Sequence, residues 1–355
     1  MAFLHWLTNA KIKQPPISIW PKTQARQNIL KKMPDKSSKS IEILTVPKSA
    51  DKYSQKNVGI TLDQNLIKTI LSAAYKSVSI TEIKTEIDLR ELAARKPDLV
   101  FSGVKYFNFG NKEIWLNDFL DGHHISYIGS SKKALDREHD KSIAKKIVKE
   151  AGIATAEYFT SAPGEHSLSI SVPLAFPLFI KPIKGGDSIG IDARSIVNDM
   201  EGMTAKIGEI FAKQQSRSLV ETYLPGKEYS VGIFENEVTK ELTAMPIEIE
   251  VGENENGCFI LDFDTKKNDT ELVHKVLNKQ IYSQLSKVAK AAFLALGGKS
   301  FGRIDFKMSI DNIPYFIEAN LMPGLSKGYF YRCCSLNLGI SYEQMILKIA
   351  ENRVR

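Results

Sequence analysis

The sequence predicts an open parallel α/β domain followed by a larger α+β half. Three observations predict it. Strand-like and helix-like segments alternate over 41–128, and from 176 onward strand-like segments come as antiparallel neighbours. Third, 355 residues with 43% hydrophobic and 25% charged side chains match an ordinary globular chain long enough for two or three domains, and exclude disordered or collagen-like classes.

Residues 1–40 carry Lys11, Lys13, Lys22, Arg26, Lys31, Lys32, Lys36 and Lys39 against Asp35 alone, so the net charge of +7 sits at one end and the rest is balanced. A basic, solvated, mobile arm is expected over 1–40. A body without net charge offers no basic face, so nucleic acid is not an expected partner. IEILTV (41–46) and VSITEI (78–83) read as strands, with helices over NLIKTILSAAYK (65–76) and DLRELAARK (88–96). PDLVFSGV (97–104) reads as a buried strand, KEIWLNDFLDG (112–122) as a helix and ISYIG (125–129) as a short strand, which closes an N-terminal α/β domain at 41–128.

One long helix is expected over 132–152, ending on Gly152. FPLFIKP (176–182) and SLVETYL (218–224) read as strands around a helix near 199–214, and the three together form a central lobe over 129–224. In a C-terminal lobe over 225–355, EYSVGIF (228–234) and ELTAMPIEI (241–249) read as antiparallel neighbours, a helix follows over 271–297, and GRIDFKMS (302–309) with PYFIEAN (314–320) reads as a hairpin before a last helix at 341–352. Cys258, Cys333 and Cys334 have neither disulfide-framework density nor zinc spacing, and no apolar run of membrane-spanning length occurs. A reducing, cytoplasmic location and no membrane partner are expected. His123, His124 and His139 lack metal-ligand company and read as surface residues.

Chemistry-bearing residues concentrate at three places. The hairpin puts Asp305 on one strand and Glu318 and Asn320, pointing the same way, on the other. Two carboxylates and an amide oxygen are hard ligands of the kind that hold Mg²⁺, and Arg303 adds a fixed cation beside them. Lys181-Pro-Ile-Lys-Gly-Gly-Asp-Ser188 is a glycine-rich loop leaving a strand, suited to phosphate but unlike a Walker loop. Glu221-Thr-Tyr223-Leu224-Pro-Gly-Lys-Glu228 can offer backbone groups to a purine and a carboxylate to ribose hydroxyls.

In this order, the strand-Lys-Pro with its glycine-rich Ser loop, V-E-x-Y-L-x-G-x-E, G-R-x-D-F and E-A-N-x-x-P-G resemble the ATP-grasp superfamily, and within it the D-alanine–D-alanine ligase type, from about Asp98 to the C-terminus. The resemblance implies an ATP-grasp fold and an ATP-dependent carboxylate–amine ligase that works through an acyl phosphate and releases ADP and phosphate. It implies ATP with two Mg²⁺ ions, Mn²⁺ being a substitute, held by Asp305, Glu318 and Asn320. Lys141 and Lys181 would contact the α/β-phosphates under a Ser188 lid, Glu221 and Leu224 would meet the adenine through the interdomain hinge in which Tyr223 lies, and Glu228 would bind the ribose. Lys266 would lie near the γ-phosphate and Arg303 would stabilise the acyl phosphate and oxyanion. Small-molecule carboxylate and amine substrates and a homodimer are implied as partners, with Asp187, Lys267, Gly324 and Tyr329 near the substrates.

The chain departs from the pattern at the amino-acid end. Asp187-Ser188 replaces paired serines, Lys267 replaces a tyrosine, and TVPKSADKYS (45–54) stands where a Gly-Gly-x-Ser motif belongs. Amino-acid or peptide-like substrates other than two D-alanines are therefore the first reading. A D-alanine–D-alanine ligase of peptidoglycan precursor synthesis is the second, and a non-catalytic nucleotide- or nucleic-acid-binding protein using the basic arm is the third.

Overall fold

A computed structural model describes residues 36–47, 59–60, 62–166, 172–186, 188–236, 238–252, 260–268 and 270–354, without the side chains of 263, 264 and 267. The arm up to residue 35, Asp187, Cys258 and the Lys267 side chain lie outside them. Strands β1 (Ser37–Thr45), β2 (Tyr75–Glu82) and β3 (Leu99–Phe101) form a parallel sheet in the order β2-β1-β3, crossed over by helices α1 (Gln64–Leu71) and α2 (Glu86–Arg95). This is the open parallel α/β arrangement that the alternation predicts. β1 starts earlier than expected because Asp98 accepts hydrogen bonds from Lys39 Nζ (2.9 Å) and the Ser40 amide (2.8 Å). α1 ends at Leu71, so Tyr75 and Lys76 belong to β2.

The segment expected as a helix over 112–122 begins as a strand. β4 (Tyr106–Phe109) and β5 (Lys112–Trp115) pair around Gly110-Asn111, and only α3 (Leu116–Gly122) is helical. Gly110 sits at φ 63°, the left-handed backbone that a two-residue hairpin loop needs. ISYIG contributes a single bridge, Val100 to Tyr127, instead of a strand. The expected 132–152 helix is two helices, α4 (Lys132–His139) and α5 (Lys141–Glu150). Asp140 breaks it, its carboxylate accepting from the Ser142 (3.0 Å) and Ile143 (3.3 Å) amides as an N-cap.

An antiparallel sheet follows, with β6 (Tyr158–Ser161), β7 (Leu178–Pro182), β8 (Ile196–Val197) and β9 (Ser218–Thr222) in the order β6-β9-β7-β8, packed by α6 (Met200–Gln214). The last sheet contains β10 (Glu228–Glu235), β11 (Leu242–Glu250), β12 (Leu272–Lys275), β13 (Phe301–Met308) and β14 (Pro314–Asn320), ordered β12-β11-β10-β13-β14. Helices α7 (Phe263–Asn268), α8 (Lys279–Leu296), α9 (Tyr329–Leu338) and α10 (Tyr342–Glu351) complete it. The helix expected from 271 starts at Lys279 because 272–275 extend the sheet, and α9 was not expected.

Alternation buries both faces of the last sheet. Phe234, Met245 and Ile247 pack with Phe330, Cys333 and Cys334 of α9, whereas Val231, Ile233, Ile304 and Phe306 pack with Leu285, Ala289 and Phe293 of α8. The cysteines are packing residues: burial pushes the Cys333 thiol up to about 12, out of nucleophilic range. His123, His124 and His139 are exposed, as expected. Among the described residues, no helix is long and apolar enough to cross a membrane.

Candidate active site

The hairpin β13–β14 pairs Arg303 with Asn320 and Asp305 with Glu318. Asp305 is held in place before any ligand arrives. Arg303 donates to it from Nε (2.9 Å) and Nη2 (2.8 Å), and Ser230 Oγ on the neighbouring β10 donates at 2.5 Å. Asn320 Nδ2 reaches the same carboxylate at 3.4 Å. Burial would pull the Arg303 guanidinium down, but Asp305 outweighs it and holds it above its ordinary value. This is a two-pronged pair that lysine could not make.

Facing these groups are the lysines of the central sheet and α5. Lys141 opens α5 because Asp140 ends α4; its amide donates to Ile183 O (3.0 Å) and its Nζ to Gly185 O (2.6 Å), which ties the glycine-rich loop to the helix start. Gly185 sits at φ 97°, a left-handed turn open to glycine. Lys181 ends β7 with its ammonium closed to solvent. It lies 2.7 Å from Glu221 Oε1 as a charge pair, yet has no acceptor in hydrogen-bonding geometry among the described residues. A buried ammonium with unmet donors fits a phosphate oxygen.

The Glu221 side chain is engaged by two lysines. Lys145 Nζ lies 2.8 Å from its Oε2 while Lys181 takes Oε1, so both oxygens face cations. Burial would raise its carboxyl, but Lys145 and Lys181 hold it at about 2. Lys145 also donates to Thr155 Oγ1 (2.6 Å), and Thr155 Oγ1 donates to Phe316 O on β14 (3.2 Å). Sequence reasoning missed Lys145. The signal was there, since Lys141, Ala144, Lys145 and Val148 form the i, i+3, i+4, i+7 buried face of α5.

Most of the sequence-predicted residues line one crevice. Lys141, Lys181, Ser188, Glu221, Tyr223 and Leu224 come from one side; Glu228, Lys266, Asp305 and Glu318 come from the other. Ser188 Oγ donates across to Leu261 O at 3.1 Å. Lys307 lies 3.9 Å from Glu228 Oε2 and 5.8 Å over the Tyr223 ring, next to the β9–β10 link. Burial raises the Glu228 carboxyl, with Lys307 and Lys266 offsetting only part. For Glu318, burial is outweighed by Lys141, Lys266 and Lys181, which keep its carboxyl below the ordinary value.

A second cavity of about 1020 Å³ adjoins the crevice and shares Lys141, Gly185, Gly186 and Glu318 with it. Asn320 and Gly324 line this second cavity. Tyr329 lines neither; its hydroxyl donates to Glu271 (2.6 Å) and its ring lies 5.4 Å from the Arg303 guanidinium. Among the described residues no three His, Cys, Asp or Glu side chains cluster as a metal site. The hairpin instead brings together two carboxylates, Asp305 and Glu318, with the Asn320 amide beside them, an all-oxygen set whose chemistry suits Mg²⁺ better than a soft metal.

Comparison with known proteins agrees with this geometry. Residues 147–351 match the family described as D-ala D-ala ligase C-terminus. D-alanine–D-alanine ligase from Bacillus anthracis is 26% identical over 305 residues, covering 85% of this chain and 94% of that protein. The Streptococcus thermophilus enzyme is 29% identical over 242 residues, 66% of each. Among solved structures, B. anthracis D-alanine–D-alanine ligase complexed with ATP shares the fold at a TM-score of 0.63 and 21% identity, over 88% of this chain and 97% of that one. VanG D-Ala:D-Ser ligase from Enterococcus faecalis does so at 0.65 and 19%, over 89% and 99%. With most of its length inside the family match and its lysines and hairpin carboxylates meeting at one crevice, this chain belongs to the D-alanine–D-alanine ligase family of ATP-grasp enzymes, ATP-dependent ligases that form an amide bond.

Proposed function

We propose that this enzyme joins the carboxylate of one amino-acid or peptide-like substrate to the amine of another, with 129–224 and 225–355 acting as the two lobes that grip MgATP. The observation that carries this reading is Lys141 and Lys181 lining the same crevice as Asp305 and Glu318. A carboxylate oxygen attacks the γ-phosphorus, ADP leaves, the amine nitrogen attacks the resulting acyl phosphate, and phosphate departs as the amide forms and the amine proton is lost.

Each residue has a part in this sequence. Lys181 and Lys141 draw the phosphates in, and Glu221 aims Lys181. Glu228 meets the ribose, and Tyr223 and Leu224 meet the base. Arg303, fixed by Asp305, presents positive charge to the acyl phosphate and to the oxyanion formed on it. Ser188, bonded across to Leu261, closes the lid that keeps water from the acyl phosphate, and Lys266 stands near the γ-phosphate. Asp305, Glu318 and Asn320 would hold Mg²⁺, which when bound neutralises phosphate charge and polarises the transferring group.

The test is a panel of amino acids and dipeptides, in both enantiomers, with ATP and Mg²⁺, following ADP and product mass together. Amine-dependent ADP release with a product one water lighter than the substrate pair is expected. ADP release indifferent to every amine overturns the reading, and turnover with D-alanine alone would make this a D-alanine–D-alanine ligase in substrate as well as in family.

A further inference from the structure

The second cavity has a wall that its sequence neighbourhood does not advertise. In the hairpin β4–β5, Tyr106 and Trp115 are directly paired, their rings 5.3 Å apart and tilted at 42°, and both line the cavity. Trp115 is held on its other sides too. Its Nε1 donates to Glu113 (2.7 Å), and Lys132 Nζ lies 4.6 Å over its ring. Rigid aromatic side chains of this kind supply contact area at low entropic cost.

Ile60, Leu62, Leu135 and Met322 continue the apolar lining, while Lys141 and Glu318 mark the end where the cavity meets the nucleotide crevice. At about 1020 Å³ the space matches the upper end of the ~300–1,000 Å³ typical of a drug-sized ligand. A methyl side chain would fill little of it.

We propose that the Tyr106–Trp115 wall of the β4–β5 hairpin is the specificity element for a substrate side chain, so that the enzyme ligates amino acids or short peptides with large apolar or aromatic side chains in preference to alanine. This rests on the ligase reading above and deepens it. The reacting carboxylate or amine points to the Lys141–Glu318 end, and the side chain rests on the aromatic pair. Burying each additional methylene on such a wall favours the larger substrate by about tenfold or more in kcat/KM.

The test compares phenylalanine, leucine and their dipeptides with alanine, in both enantiomers, in two assays: MgATP-dependent ADP release, and shift of the melting temperature without ATP. Wild type should prefer the bulky compounds over alanine by at least about tenfold in kcat/KM. That ratio should fall toward one in Trp115→Ala and in Tyr106→Ala, and be retained in Trp115→Phe. A mere folding defect would lower both rates and leave the ratio standing. A wild type preferring alanine, a ratio unchanged in both alanine variants, or no bulky compound acting in either assay overturns the inference. A melting shift by phenylalanine that disappears in Trp115→Ala, with no ADP release from any pair, would keep the pocket and refute the ligase reading instead.

Discussion

Lys145 Nζ lies 2.8 Å from Glu221 Oε2, and both side chains are nearly closed to solvent, at 1% and 8% exposure. The pair sits behind the nucleotide crevice and braces it. Glu221 turns its other oxygen to Lys181, and Lys145 reaches through Thr155 to β14, two residues before Glu318. Cation, carboxylate and hairpin are thus set by one buried network.

Removing Lys145 strands a buried carboxylate beside a single remaining cation. Lys145→Met is expected to lower stability by about 3 kcal/mol, read as a drop in the urea midpoint at unchanged slope. Affinity for ATP should fall with it. An unchanged midpoint would show that the network braces nothing.

The same network predicts an acid limb. Folding depresses the Glu221 carboxyl from 4.5 to about 2, so its stabilisation is complete above the unfolded value and fades as pH drops toward 2. Glu221→Gln should therefore flatten the loss of stability in that window, measured by denaturant melts at stepped pH. A parallel acid limb in both proteins would contradict the assignment.

Glu228 behaves oppositely, because burial lifts its carboxyl above the ordinary value. If its carboxylate grips the ribose, KM for ATP should fall as pH rises through that elevated range, where the charged form takes over. Glu228→Gln should raise KM and remove the pH dependence. Identical profiles for both proteins would place the ribose elsewhere.

Arg303 tests the charge beside the proposed metal site. Arg303→Lys keeps the charge but loses the two-pronged contact with Asp305, and kcat should drop about a hundredfold with a smaller change in KM for ATP. A drop in ATP affinity alone would make Arg303 a nucleotide-binding residue.

Much of the site was legible because it is local. Asp305, Glu318 and Asn320 lie on adjacent strands of one short hairpin, and alternation sets Glu318 and Asn320 on one face; the pairing of Asp305 with Glu318 itself depends on a register shift between Asp305 and Phe306 that alternation does not foretell. The parallel sheet followed from alternation in the same way. What escaped depends on contacts between distant segments or on a turn residue passed over. Trp115 lies in a stretch whose Ile114, Leu116, Phe119 and Leu120 mimic helical spacing, and Gly110-Asn111 was the cue that turns its first four residues back as β5. Asp140 is an N-cap hidden inside a continuous helical pattern. Lys145 reads as one more surface lysine until α5 packs it against Glu221.

The most direct measurement is a crystal structure with Mn²⁺ and a non-hydrolysable ATP analogue, the metal located by its anomalous signal. Manganese bound to Asp305, Glu318 and Asn320, with the analogue's phosphates against Lys141 and Lys181, is the expected result. Nucleotide bound in the crevice with manganese elsewhere, or a crevice that takes neither, would contradict it.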